Sequence, residues 1–211
     1  MLAVVASHAP FGMEGELVSV EVDIRRGLPG IDVVGLPDGA VRESKERVRV
    51  AIRNSGFAFP LDRILVSLAP AGVRKEGASF DLPIALGILA ASGQIAADGL
   101  VGPMVLGELN LGGTVRPVNG VLSAVGCGTE AGIKTFLVPI ENVREAMALG
   151  AGSVLGIRSL REAALALSGA LPAERADLAP PPPAAPDCSD LDELEDIKGH
   201  DSLKRALQVA A

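Results

Sequence analysis

The first 168 residues switch repeatedly between two hydrophobic periods. Val18, Val20, Val22 and Ile24 alternate with Ser19, Glu21 and Asp23, which predicts a strand with one buried face. Ile31–Val34, behind Gly27-Leu28-Pro29-Gly30, predicts a second strand, and Ile64–Leu68 a third. Between them Asp38 can cap a helix running to Asn54-Ser55-Gly56, with Val41, Val48 and Ile52 on its apolar face. Asp81 is the expected cap of a second helix. Pro83 would sit in its first turn, where a missing N–H costs nothing. Leu82, Ile84, Leu86, Ile88 and Leu89 surround that helix on every side, so it is predicted to be buried.

Further along, Met104–Leu106 and Thr114–Arg116 read as a strand pair, and Val121–Ala131 as a helix rich in small residues. Thr135–Val138 is a strand that Pro139 ends, Glu141–Leu149 a helix and Ser153–Ile157 a strand. Ser159–Ser168 is a last helix that Ser159 can cap. Strands and helices interleave, but the early strands follow one another directly. The fold class is α/β of the α+β type: a mixed sheet with packed helices.

Three parts follow from this pattern. Residues 1–168 form the folded domain. Residues 169–190 hold Pro180–Pro183 and Pro186 and read as a semi-extended spacer. Residues 191–211 begin acidic, pass through Lys198-Gly199-His200, and then place Leu203, Ala206, Leu207 and Ala210 at helical spacing.

Composition narrows the function. Aromatic residues make up 2% of the chain, with no Trp or Tyr, so the core is built from aliphatic side chains. The net charge of −7 argues against a strongly nucleic-acid-binding chain as a whole and leaves room for a local basic patch. One exists: on the helix after Asp38, Arg42, Lys45, Arg47, Arg49 and Arg53 outnumber Glu43 and Glu46. It reads either as a solvated face laced by Glu43–Arg47 and Glu46–Arg49 pairs or as a surface for DNA phosphates. In the second reading Arg42, Lys45, Arg49 and Arg53 are the candidate DNA contacts, with Arg26, Arg74 and Lys75 expected nearby. With so few aromatic rings, such a surface would hold the DNA backbone without sequence preference.

Cys127 and Cys188 lack metal-ligand spacing and read as reduced thiols. The only histidines, His8 and His200, pair with no Cys or carboxylate cluster, so no metal site is expected. No signal peptide is evident, and the most apolar run, Leu82–Ala91, is too short to cross a bilayer. No membrane association is expected, and the chain reads as cytoplasmic.

Two glycine-punctuated blocks carry a resemblance. Lys75-Glu-Gly-Ala-Ser-Phe-Asp-Leu-Pro83 and Gly107-Glu-Leu-Asn-Leu-Gly-Gly-Thr-Val-Arg-Pro-Val118 resemble the Lon-type serine–lysine peptidase domain, as does Ala131-Gly-Ile-Lys-Thr135. The resemblance implies a Lon-protease-like, ribosomal protein S5 domain 2-like fold. It places Ser79 at the nucleophile position and Leu122 at that of the lysine base. A serine without its base is a weak nucleophile, and Ser79 can equally support the turn before the next helix.

A more specific resemblance covers nearly the whole chain. Gly27-Leu-Pro-Gly30, Val34-Gly-Leu-Pro37, Val41-Arg-Glu-Ser44, Asn54-Ser-Gly-Phe57 and Phe80-Asp-Leu-Pro-Ile-Ala-Leu-Gly87 occur in the order of the amino-terminal domain of the YifB/ComM family, often labelled magnesium-chelatase-like. In that family the Lon-like domain precedes an AAA+ ATPase module. Asp196-Ile197-Lys198-Gly199-His200 resembles the opening of that module, which implies that Ile197, Lys198, Gly199 and His200 flank an adenine. No Gly-x-x-x-x-Gly-Lys-Ser/Thr loop occurs in the chain. The chain is therefore expected to be a fragment or a truncated product that binds no cofactor and hydrolyses no ATP alone. ATP and Mg2+ belong to the missing module. The family implies a homo-oligomeric ring, a hexamer, that processes DNA by branch migration during transformation. The alternatives are a serine peptidase or its relic built on Ser79, and a magnesium-chelatase subunit, for which no residue suggests a porphyrin site.

Overall fold

The computed structural model describes residues 2–11, 14–168, 202 and 204–206. The chain divides into two compact units, Met1–Leu178 and Ala179–Ala211, and the sheet with its helices belongs to the first. The linker and the adenine-flanking residues Ile197, Lys198, Gly199 and His200 lie outside the described residues.

Seven strands form one mixed sheet. β1 (Leu2–Phe11) and β2 (Glu14–Arg25) pair antiparallel over their whole length, and β2 pairs antiparallel with β4 (Arg63–Ala69). β3 (Gly30–Val34) lies parallel to β4 at one edge. On the other side β1 is followed by β5 (Pro103–Val105), then by the parallel strands β8 (Thr135–Pro139) and β9 (Ser153–Ile157). Between β5 and β8 in the chain, β6 (Glu108–Leu109) and β7 (Val115–Arg116) make a separate two-stranded hairpin.

Helices cover both faces. α1 (Gly39–Asn54), α2 (Asp81–Ala91) and α5 (Leu160–Leu167) share one hydrophobic cluster with Val5, Val20, Val22, Ile64 and Val66. α3 (Val121–Glu130) and α4 (Val143–Met147) close a second cluster with Met104, Phe136 and Val138. The division follows the pleat. In β5 and β8, Met104 and Phe136 belong to the second cluster while Val105 and Leu137 belong to the first. α2 is buried along its entire length, as its all-round apolar pattern predicts.

Three expectations need correction. Met104–Leu106 and Thr114–Arg116 do not pair. After Val105 the chain leaves the sheet, with Gly107 N–H donating to Ser79 C=O and Leu82 N–H to Gly107 C=O, and β7 pairs with β6 instead. Asp81 does not cap α2. Phe80 occupies the cap position, and Asp81 stands inside the first turn with its side chain wholly buried. The Glu43–Arg47 pair is absent because Arg47 turns inward to Asp81. By contrast, Asp38 caps α1 by accepting from Val41 N–H at 2.8 Å, and Ser159 caps α5 by accepting from Glu162 N–H at 3.2 Å.

β1 went unread because Leu2, Ala3, Val4 and Val5 show no polar contrast. In the structure Ala3 and Val5 are buried while Leu2 and Val4 are exposed.

Candidate nucleic-acid interface

The apolar stripe of α1 fixes where its charges go. Val41, Ser44, Val48, Ala51 and Ile52 are buried, which turns the other side of the helix outward. Arg47 sits on the border and is drawn in. Its Nε donates to Asp81 Oδ2 at 2.9 Å, and its Nη2 donates to Asp81 Oδ1 at 3.1 Å and to Ala40 C=O at 3.1 Å. Asp81 also accepts from Leu109 N–H at 3.3 Å, so one carboxylate joins α1, α2 and the β6–β7 hairpin. Burial pushes the Asp81 carboxyl up to about 6 against the pull of Arg47, while the hydrogen bond to Asp81 raises the guanidinium further. The two-pronged geometry is that of an ionised pair, and at neutral pH it stays ionised.

Four cations remain on the outer side. Arg42, Arg49 and Arg53 are exposed and Lys45 is half-buried. Among the described residues no carboxylate lies within ion-pair distance of any of them. They follow one another at intervals of three or four residues and span about 16 Å of helix axis. Arg49 and Arg53 each hold the guanidinium carbon 5.9 Å from the Phe59 ring centre. A groove of about 520 Å³ runs between this side of α1 and the edge strand β3. Arg42, Lys45, Glu46 and Arg49 line it from α1, Gly30 and Ile31 from β3, and Phe59 and Leu61 complete it, so three cations share the groove with one carboxylate. The ordered face laced by ion pairs that the sequence also allowed is not what forms.

Of the neighbouring cations, Arg26 is exposed and the other two are otherwise engaged. Arg74 pairs with Glu76 at 3.1 Å. The Lys75 side chain is fully buried, with its Nζ donating to Pro70 C=O, and burial lowers its pKa. It adds nothing to the surface charge.

Ser79 lies half-buried in the turn before α2, where its carbonyl accepts from Gly107 N–H. Among the described residues its hydroxyl makes no hydrogen bond. Leu122, at the base position, is exposed. Neither Lys75 nor residue 122 brings an amine to Ser79.

Two features escaped the sequence reading. Asp81 was legible as an anomaly, a lone carboxylate in an otherwise apolar helix that must find a cation. His8 was not. It is 1% exposed, its Nε2 lies 3.3 Å from Ser123 Oγ, and burial lowers its pKa to about 4. Its ring lies so close to Gly15 that a Cβ there would fall 1.7 Å from Nε2. Among the described residues no cluster of three His, Cys, Asp or Glu side chains is placed to hold a metal ion, and no helix is long and apolar enough to cross a membrane.

Comparison with known proteins places these features in context. The family model described as subunit ChlI of Mg-chelatase matches residues 20–142. YifB of Salmonella typhimurium is 37% identical and the competence protein ComM of Haemophilus influenzae 38% identical, each over the full length of this chain. The chain spans 40% of the former and 41% of the latter. More distantly, Lon protease 2 of Bacillus subtilis is 26% identical over 61% of the chain and 26% of its own length.

Proposed function

Because this chain belongs to the Mg-chelatase ChlI-like family that includes YifB and ComM, we propose that it is the non-catalytic, Lon-like amino-terminal domain of a DNA-handling ATPase, and that α1 contacts the DNA backbone. The single observation that carries the DNA contact is the row Arg42, Lys45, Arg49 and Arg53, four cations with no carboxylate partner among the described residues, in a chain of net charge −7. A soluble helix with two glutamates of its own normally pairs such charges, and here the one cation best placed to pair with Glu43 is consumed in the interior. Phosphates are the natural counter-charge, and contacts of this kind read no sequence.

The proposal extends to the whole protein. ATP and Mg2+ would be bound by sequence outside these 211 residues, which contain no phosphate-cradling loop. Homo-oligomerisation into a ring, a hexamer, would pool one basic row from each copy and give a modest patch the affinity that a single copy lacks. The work would be branch migration or a related DNA step in the cytoplasm, with the name of the relative ComM suggesting competence as its setting. Peptidase chemistry is disfavoured, since no described amine or imidazole serves Ser79.

Fluorescence anisotropy with labelled single-stranded and forked DNA tests the reading. Four phosphate contacts predict that affinity falls roughly 50-fold for single strands and roughly 150-fold for duplex arms between 50 and 200 mM salt, and that scrambling the DNA sequence changes nothing. The R42E/K45E/R49E variant should lose both binding and salt dependence. Binding that survives charge reversal undiminished would overturn it.

A further inference from the structure

The groove beside α1 has two kinds of wall, and phosphates satisfy only one. Arg42, Lys45 and Arg49 offer positive charge that outweighs the single carboxylate of Glu46. The same groove carries Phe59 and Leu61, with Leu61 72% exposed, and Leu28 next to the lining Pro29 is 88% exposed. Large aliphatic side chains so open to water cost free energy unless something apolar covers them. A phosphodiester backbone brings no such group. The wall made by Gly30 and Ile31 belongs to β3, an edge strand that pairs on one side only, with β4. The groove thus suits an extended peptide that carries carboxylates and interspersed aliphatic side chains.

The chain contains one such sequence. Residues 190–196 read Asp-Leu-Asp-Glu-Leu-Glu-Asp, five carboxylates around Leu191 and Leu194, with Ile197 following. Nothing comparable occurs elsewhere in its 211 residues: no seven-residue window outside this stretch holds more than two carboxylates. We infer that the acidic stretch 190–196 of one copy docks in the α1–β3 groove of a second copy, pairing with Arg42, Lys45 and Arg49 while its leucines cover Leu61 and Phe59. A second copy is favoured by the composition before that stretch. Read from the sequence, the prolines at 180–183 and 186 mark a semi-extended spacer, and a spacer of that kind would lower the effective concentration of the stretch at its own groove. The contact is heterologous, so it repeats from copy to copy and closes into a ring where the rotation allows.

The inference uses the same cations as the DNA contact but does not depend on it, and its test contains no DNA. The full chain is followed by sedimentation velocity over a range of concentrations at 50 and 500 mM NaCl. The mass should rise above that of the 21.5 kDa monomer with concentration at low salt, and fall back at high salt, where the Debye length shrinks to about 4 Å. Two variants then separate the partners: R42E/K45E/R49E reverses the groove charge, and D192N/E193Q/E195Q/D196N neutralises four of the five carboxylates in the acidic stretch. Each alone should stay monomeric, and an equimolar mixture should form a heterodimer, because each supplies the half that the other lacks. The acidic-side variant leaves the folded sheet untouched, so its result stands even where the groove variant folds poorly. A wild type that stays monomeric at every concentration at low salt overturns the inference, as does association that neither variant weakens. Monomers whose groove is shielded by their own acidic stretch also overturn it. That case shows as DNA affinity that rises in D192N/E193Q/E195Q/D196N without any change in mass.

Discussion

Replacing His8 with Gln should change how stability depends on pH more than it changes stability at neutral pH. The imidazole is 1% exposed, and burial lowers its pKa from 6.5 to about 4. A depressed histidine means that the unfolded chain binds its proton more readily than the folded one between those values. The contribution of His8 is therefore fully present above pH 6.5 and drains away as pH falls toward 4. With one pKa unit equal to about 1.4 kcal/mol, the loss is about 1.4 kcal/mol at pH 5.5 and about 3 kcal/mol at pH 4. Gln keeps a polar group near Ser123 Oγ but does not titrate.

The measurement is urea unfolding of wild type and H8Q at half-unit intervals from pH 7.5 to 4. The quantity to follow is the difference between the two at each pH, because every other titrating group contributes equally to both and cancels. That difference should shift by about 3 kcal/mol toward H8Q across the window. A difference that stays constant within about 0.5 kcal/mol would show that His8 is protonated in the fold, and the packing argument built on Gly15 and Ser123 would fail with it.

Asp81 should behave in the opposite sense. Its raised pKa, about 6, means that its contribution is greatest below the unfolded value near 3.8 and is lost as pH rises through 6, so D81N should flatten a slope of that sign in the same urea series. Removing the carboxylate in D81A strands Arg47 and should cost about 3 kcal/mol, while the double variant R47M/D81L should recover much of that loss in thermal melts. Gly87→Ala would bring a Cβ to 2.6 Å from Val22 Cγ2 at the contact between α2 and β2, and should cost about 1–3 kcal/mol by the same unfolding assay. A fluorophosphonate probe followed by mass spectrometry should label Ser79 no faster than free serine, since no described amine or imidazole reaches its hydroxyl. Labelling abolished in Ser79→Ala would restore a peptidase role.

What the sequence made legible was periodicity with contrast, and what it hid was pairing at a distance. α2 announces itself because every position is apolar, and β2 because polar and apolar residues alternate. β1 lacks that contrast, and only the pairing with β2 distinguishes its inner residues from its outer ones. β5 and β7 are too short for pattern to decide their partners; that decision rests on Gly107, where the chain turns from the sheet toward α2. The basic row on α1 was visible as a charge imbalance, but its meaning turned on Arg47. The sequence offers Glu43 as a partner four residues away. The fold offers Asp81, 34 residues away and wholly buried, where a charge left alone costs far more than one at the surface. The buried carboxylate wins that competition. Its consequence runs outward: Arg42, Lys45, Arg49 and Arg53 then face only Glu43 and Glu46, a net of +2 on the outer side of the helix instead of the +3 counted along the sequence. A charge that small binds little by itself at physiological salt, where the Debye length is about 8 Å. The row gains strength only when several copies present it to one polyanion, so a function for α1 in DNA handling requires assembly of the chain into a multimer, whereas assembly does not require DNA.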